Sequence, residues 1–195
     1  MSSDRSYHHG DLRRALLTAA VEVIAEHGPA YVSLRELARR AGVTHAAPAH
    51  HFTDKAGLLT ALAVQGNDML ADSLEDALAV TPIDLTELGV RYVRFAAEFP
   101  AHFEVMYRPD LYHRDDPELV AARTRTGEVL RIGVAAMGSR TGGDPELAGL
   151  AAWMMAHGFA ALRQSGNLDA AVGDRDPEDV FRAAAGLMFG VSDAG

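Results

Sequence analysis

The chain has 195 residues and a formal net charge of −9; the length suits one large or two small domains with a substantial core, and the charge at first argues against a nucleic-acid partner. It contains no cysteine, so disulfides and thiolate metal sites are excluded, which fits a reducing compartment. No apolar run reaches the roughly 18 residues of a spanning helix, and the opening "MSSDRSYHHGDLRR" lacks the apolar stretch of a signal peptide, so a cytoplasmic chain with no membrane partner is expected.

The charge is unevenly spread. Residues 1–55 carry seven Lys+Arg against six Asp+Glu, and the remainder carries 11 against 21. Six of the nine histidines also lie in the first 55 residues. A near-neutral, histidine-rich head therefore precedes an acidic body, with Lys55, the sole lysine, at the junction.

In chain order, "DLRRALLTAAVEVIAEHG" sets Leu12, Ala15, Leu16, Ala19, Ala20, Val23 and Ile24 at helical spacing, and Gly28-Pro29 stops that helix. Ser33 and Glu36 form an S-x-x-E pattern, the signature of a reciprocal capping box. The helix they open runs from Leu34 to Gly42, a natural left-handed terminator. Thr44 is expected to cap a third short helix from His45 to His51, with Pro48 in its first turn, where a missing N–H costs least. Asp54 caps a fourth, through Leu58, Leu59, Leu62, Met69 and Leu74.

Past Pro82, "LTELGVRYVRFAAEF" places Leu88, Tyr92, Phe95 and Phe99 on one helical face until Pro100 breaks it. A short turn with Phe103, Met106 and Tyr107 follows. Three further helices each open on Asp-Pro-Glu, at Asp116, Asp144 and Asp176: a capping Asp, a Pro at the first helical position and an acid near the positive end of the dipole. No long strand pattern competes, so the fold class is all-α.

Two helices joined by a short Gly-containing turn make a helix-turn-helix, whose second helix lies in the DNA major groove. That second helix must present small or polar side chains so that it can approach base edges. Leu34, Leu37, Ala38, Ala41 and Val43 can hold the first helix and turn to the bundle, leaving Thr44, His45, Ala46, Ala47 and His50 outward. Ala46 and Ala47 can touch thymine methyls, and His45 and His50 can reach a base acceptor or a phosphate. Gly between short helices is also common in all-α proteins that never meet DNA.

"LLTAAVEVIAEHG…VSLRELARRAGVTHAAPAHHFTDKAGLLTAL" resembles the DNA-binding domain of the TetR (tetracycline-repressor-like) transcriptional regulators. The likeness rests on Ala19-Ala20, Gly28, Leu37-Ala38, Ala41-Gly42-Val43, Phe52, Lys55 and Leu58-Leu59 in unbroken order. "YVRFAAEFPAHFEVMYRPDL" and "WMMAHGFAAL" are similar to a subgroup with a Trp-His-Gly signature, here Trp153 and His157-Gly158. The resemblance implies a DNA-binding head over residues 1–56, with the motif at about 33–52, and a ligand-binding and dimerisation body over 57–195. It implies a homodimeric, ligand-responsive repressor of operator DNA. The DNA-facing set is then Ser33, Arg35, Thr44, His45, Ala46, Ala47, Ala49, His50, His51 and Lys55. The family usually has a Tyr where this chain has Ala49, so His50, His51 and Lys55 are left to carry the phosphate contacts nearby. The alternative is a helical protein that binds or sequesters a small molecule, its operator binding impaired by Ala49.

Aromatic and methionine residues of the body, Tyr92, Phe95, Phe99, Phe103, Met106, Tyr107, Met137, Trp153 and Met154, suit an adaptable effector pocket between helices, or plain core. Trp153 and His157 lie one turn apart. Gly158 and Ala161 permit a close helix approach, and Phe181, Ala184, Ala185 and Met188 form a matching stripe. The resemblance implies a four-helix dimer interface from these two helices of each subunit.

Other patterns carry little chemistry. Adjacent histidines (His8-His9, His50-His51) point about 100° apart on a helix and lack zinc-site spacing, so no metal is expected. "GSRTGGDPE" lacks the Gly-Lys-Ser/Thr of a phosphate loop. Glu98, His102 and Glu104 have no nucleophile or oxyanion motif beside them, so neither an enzyme nor a cofactor is expected.

Overall fold

The structure is a computed structural model that describes residues 3–80, 84–136 and 144–189, apart from the side chains of residues 3–11 and of Phe189. Its helices are α1 (Ser3–His27), α2 (Leu34–Arg40), α3 (Lys55–Leu78), α4 (Leu85–Glu98), α5 (Pro100–Met106), α6 (Pro117–Ala136), α7 (Pro145–Gln164), α8 (Asp169–Val172) and α9 (Pro177–Phe189). Two 3-10 turns, Pro29–Tyr31 and Ala47–His50, lie between the first three. Among the described residues there is no strand, and no helix long and apolar enough to cross a membrane.

The chain forms two compact units. The first holds residues 1–67 and 101–121, the second 68–100 and 122–195. In the first, α1 supplies Leu16, Ala20, Val23 and Ile24, α2 supplies Leu37, and α3 supplies Leu58, Leu59 and Leu62 to one core. Ala101, Val105, Tyr112 and Leu119 complete it, so α5 and the start of α6 pack with the N-terminal helices. The link after α5 is pinned twice: the Tyr112 hydroxyl donates to the Met106 carbonyl (2.8 Å), and the His113 amide donates to Thr60 Oγ1 (3.0 Å). A Cβ on Gly66 would sit 2.6 Å from Met106 Sδ, so α3 and α5 cross closely at that glycine.

In the second unit α4 lies against α7 and α9. Its inward face is Leu88, Tyr92, Val93, Phe95 and Ala96. The glycine at 89 forms a notch for the Phe181 ring of α9, whose edge lies 2.6 Å from where a Cβ would stand. Arg94 on α4 makes a bidentate pair with Glu178 at the start of α9 (2.7 and 2.5 Å). All three Asp-Pro-Glu starts are capped as the sequence predicts: Asp116, Asp144 and Asp176 each accept an amide of the following first turn at 2.8–3.2 Å.

Three local expectations need correction. Ser33 Oγ accepts the Glu36 amide (3.3 Å), but the box is not reciprocal, because Arg39 and Arg40 hold the Glu36 carboxylate instead. The residues after Pro100 form a helix, α5, not a turn; Pro100 ends α4 and occupies the first position of the next helix, where it needs no N–H.

The third correction concerns the expected helix His45–His51, which is a four-residue 3-10 turn, Ala47–His50, with no side-chain cap. Capped by Thr44, an α-helix would make its first bond from residue 48 to the Thr44 carbonyl. Pro48 has no N–H, and its ring would crowd that carbonyl. The chain takes shorter bonds instead, from the Ala47 amide to Thr44 O (3.0 Å) and from Ala49 to Ala46 O (3.2 Å). Pro48 itself is driven inward and fully buried.

Candidate nucleic-acid interface

The turn between α2 and the 3-10 segment is set by backbone chemistry. Gly42 (φ 68°) takes the left-handed conformation a side chain resists. Its amide donates to Arg39 O (3.2 Å) and that of Val43 to Ala38 O (3.0 Å), the paired bonds of a Schellman stop. Leu37 and Ala38 are buried under α2 and Pro48 under the segment, so the chain from 44 to 50 is anchored at both ends.

Thr44, His45, Ala46, Ala49 and His50 are exposed, as are Ser33 and Arg35 at the start of α2. Ala47 was expected to face outward and is half-buried. His51 is also half-buried, its ring 6.4 Å from that of Phe52. The side chains of His8 and His9 lie outside the described residues.

The cations around this surface differ in how far they are already committed. Arg39 and Arg40 both grip Glu36, and Arg40 also holds Glu26 (2.7 and 3.2 Å). The two guanidiniums pull the Glu36 carboxyl down to about 2, the Arg39 hydrogen bond contributing most. Lys55 opens α3 and its Nζ donates to Ala30 O (2.8 Å). Partial burial pulls its ammonium below the usual lysine value, yet a lysine keeps three donors, so one carbonyl does not saturate it. Asp54 caps the same helix through the Gly57 amide (2.7 Å), and His113 lies 3.4 Å from its carboxylate.

The residues expected to meet an effector divide between the two units. Tyr92, Phe95, Phe99, Trp153 and Met154 belong to the second, and Phe103, Met106 and Tyr107 to the first. Tyr92, Phe95, Phe103 and Met106 are buried, Phe99 and Tyr107 half-buried, Trp153 and Met154 exposed. Met137 lies outside the described residues. Within the second unit a groove of about 630 Å³ opens beside α4 and α7, lined among others by Arg94, Glu98, Arg163, Gln164 and Glu178; none of the expected effector residues lines it. Among the described residues no cluster of His, Asp and Glu is placed to hold a metal.

Residues expected at a dimer contact show two behaviours. Phe181 is buried within the unit and Ala184 half-buried, whereas Met188 is 70% exposed and its neighbour Leu187 is 89% exposed. On α7, Gly158 and Ala161 are half-buried, while Leu147, Leu150, Met154 and Leu162 are exposed. Trp153 stacks on His157 (centroids 5.5 Å, 28°), and the Tyr92 hydroxyl lies 2.9 Å from His157 Nδ1. Burial holds the His157 imidazole below the ordinary histidine value.

With this geometry in place, comparison with known proteins is direct. Residues 16–62 match the model of the bacterial regulatory proteins, tetR family, and residues 85–188 that of the tetracyclin repressor-like C-terminal domain. Over 81 residues the chain is 35% identical to the HTH-type transcriptional regulator BetI of Escherichia coli O45:K1, a stretch that covers 42% of each protein. The likeness therefore spans less than half of that relative's length. A Rhodococcus sp. RHA1 protein of unknown function is 32% identical with a TM-score of 0.76, covering 93% of this chain and 95% of that one. The TetR family transcriptional regulator PfmR of Thermus thermophilus is 26% identical with a TM-score of 0.69, covering 89% and 96%. An N-terminal match that includes the α2–turn–3-10 unit and a C-terminal match across α4 to α9 together account for most of the chain, which belongs to the TetR family of bacterial regulatory proteins.

Proposed function

We propose that the protein is a sequence-specific, DNA-binding transcriptional regulator, acting in the cytoplasm as a ligand-responsive homodimeric repressor. Residues 1–56 act as the head on double-stranded operator DNA, and residues 57–195 as the effector-binding and dimerising body. The observation that carries this reading is the segment 44–50: Thr44, His45, Ala46, Ala49 and His50 are exposed and small or polar, and the segment is held by the Gly42 stop before it and by buried Pro48 within it. Such a surface admits base edges and phosphates where bulkier side chains would hold a helix away.

In this reading Thr44, His45, Ala46, Ala47, Ala49 and His50 meet the groove. Ser33, Arg35, His51 and Lys55 meet the backbone on either side. Two heads joined through α7 and α9 engage adjacent major-groove half-sites. We infer that a small molecule held among the aromatic and methionine side chains of the body favours head positions that no longer match that spacing. Trp153, His157 and Gly158 fit the Trp-His-Gly subgroup of the family.

The test is binding of the full chain to the intergenic DNA beside its own gene, and to duplexes enriched from a random-sequence pool. A saturable, sequence-selective complex of one dimer per site is expected. A chain that binds small hydrophobic molecules but no duplex would instead support a sequestering role.

A further inference from the structure

The guanidinium of Arg13, on an exposed stretch of α1, lies 5.7 Å above the centre of the Phe52 ring. Phe52 is buried and its amide donates to Pro48 O (2.9 Å), so the ring is rigidly tied to the end of the 44–50 segment. A cation held over a fixed ring face loses little further freedom when it binds.

A guanidinium carries five N–H donors in a planar fork, and one contact with a ring leaves donors that two phosphate oxygens can accept side by side. Nearby, Arg39 and Arg40 are neutralised by Glu36 and Glu26. No carboxylate among the described residues pairs with Arg13.

We infer that Arg13 is a further DNA-contacting residue: held over Phe52, it clamps a backbone phosphate beside the groove that the 44–50 segment enters. This rests on the reading of residues 33–55 as the DNA interface. The contact is electrostatic and blind to sequence, so it sets affinity and register rather than specificity.

The experiment is a salt titration of the full chain on two probes, a duplex enriched by the wild-type chain from a random pool and an unselected duplex. With one contact per subunit, Arg13→Gln is expected to weaken both probes about 30-fold near 0.15 M salt and to make the slope of log K against log salt shallower by about two per dimer. Arg13→Lys is expected to recover the slope but only part of the affinity, because an ammonium keeps the charge and loses the fork. A wild-type chain that binds with the same slope as Arg13→Gln overturns the inference and leaves the interface reading standing. A loss confined to the selected duplex, at unchanged slope, overturns it too. A wild-type chain that binds neither probe removes the interface reading and this inference with it. Matching thermal unfolding of the three proteins shows that any change arises at the DNA.

Discussion

The segment from Thr44 to His50 and the outer face of α7 and α9 are both surfaces with few partners inside the chain, but their compositions are opposite. The first exposes a hydroxyl, imidazoles and methyls of alanine. The second exposes Leu147, Leu150, Met154, Leu162, Leu187 and Met188. A hydrated, charged duplex requires a surface that polar groups can reach and bulk does not block. A dry protein partner rewards large apolar side chains, because each contact removes apolar area from water. That physics supports the proposed roles, the segment as a nucleic-acid face and the helix pair as a face for a second copy of the chain. Four experiments break or sharpen the contrast.

The largest effect is expected at the apolar face. Replacing Leu187 and Met188 together by Glu places charges that the folded single chain tolerates, since both side chains are already exposed there. In a dimer the same charges would be buried without partners, at a cost of about 3–5 kcal/mol. Sedimentation should therefore show a monomer with nearly unchanged unfolding. A dimer of wild-type stability would mean that α9 does not form the contact.

A smaller effect separates the inside of the helix pair from its outside. Gly89→Ala drives a methyl into the Phe181 ring and should lower stability by about 1–3 kcal/mol, as overpacking does. Gly158→Ala meets no neighbouring atom within 4 Å among the described residues and should leave the monomer's unfolding as it was or raise it slightly. If Gly158 lies at the subunit contact, the same methyl weakens the dimer. Denaturant unfolding of the two variants, read beside their sedimentation, shows which glycine serves the packing inside the unit and which the contact between copies. Equal losses of monomer stability would remove the distinction.

On the proposed DNA face, Lys55→Ala should weaken binding to all sequences alike and reduce the salt slope by about one per subunit. The Ala30 carbonyl that loses its donor is at an exposed turn, so stability should move little. A sequence-selective loss with an unchanged slope would assign Lys55 to holding the Pro29–Tyr31 turn in place and not to phosphate.

Much of this was legible in residue order, where the deciding interaction is local. The Asp-Pro-Glu starts, the Ser33 cap and the Gly42 stop all close within a few residues, and the structure has each of them. The expected third helix of the head fails to form because a first-turn position tolerates proline only when its amide is not needed, and with Thr44 as cap residue 48 is the first whose amide is needed. The half-made capping box had a competitor in plain view, two arginines three and four residues after Glu36. Arg13 over Phe52, His113 beside Asp54 and Gly89 under Phe181 join residues far apart in the chain, and no periodicity announces them. Residue type points to aromatic and methionine side chains for an effector, but type does not show that these side chains fall in two compact units.

The smallest effect is the response to acid of two histidines inside the fold, His102 on α5 and His157 on α7. Burial holds His102 and His157 below the ordinary histidine value, so the folded chain keeps them neutral. The unfolded chain takes up protons at these residues from about pH 6.5 downward, and more readily than the folded one. Their contribution to stability is therefore complete above about pH 7.5 and is lost as pH falls through 6.5 and on toward the folded values. Unfolding in denaturant at about pH 8 and about pH 6 should show the lower stability at the acid end. His157→Gln should shrink that difference, because one of the two rings that resist a proton in the fold is gone. A stability equal at the two ends would mean that neither ring is held neutral by its burial.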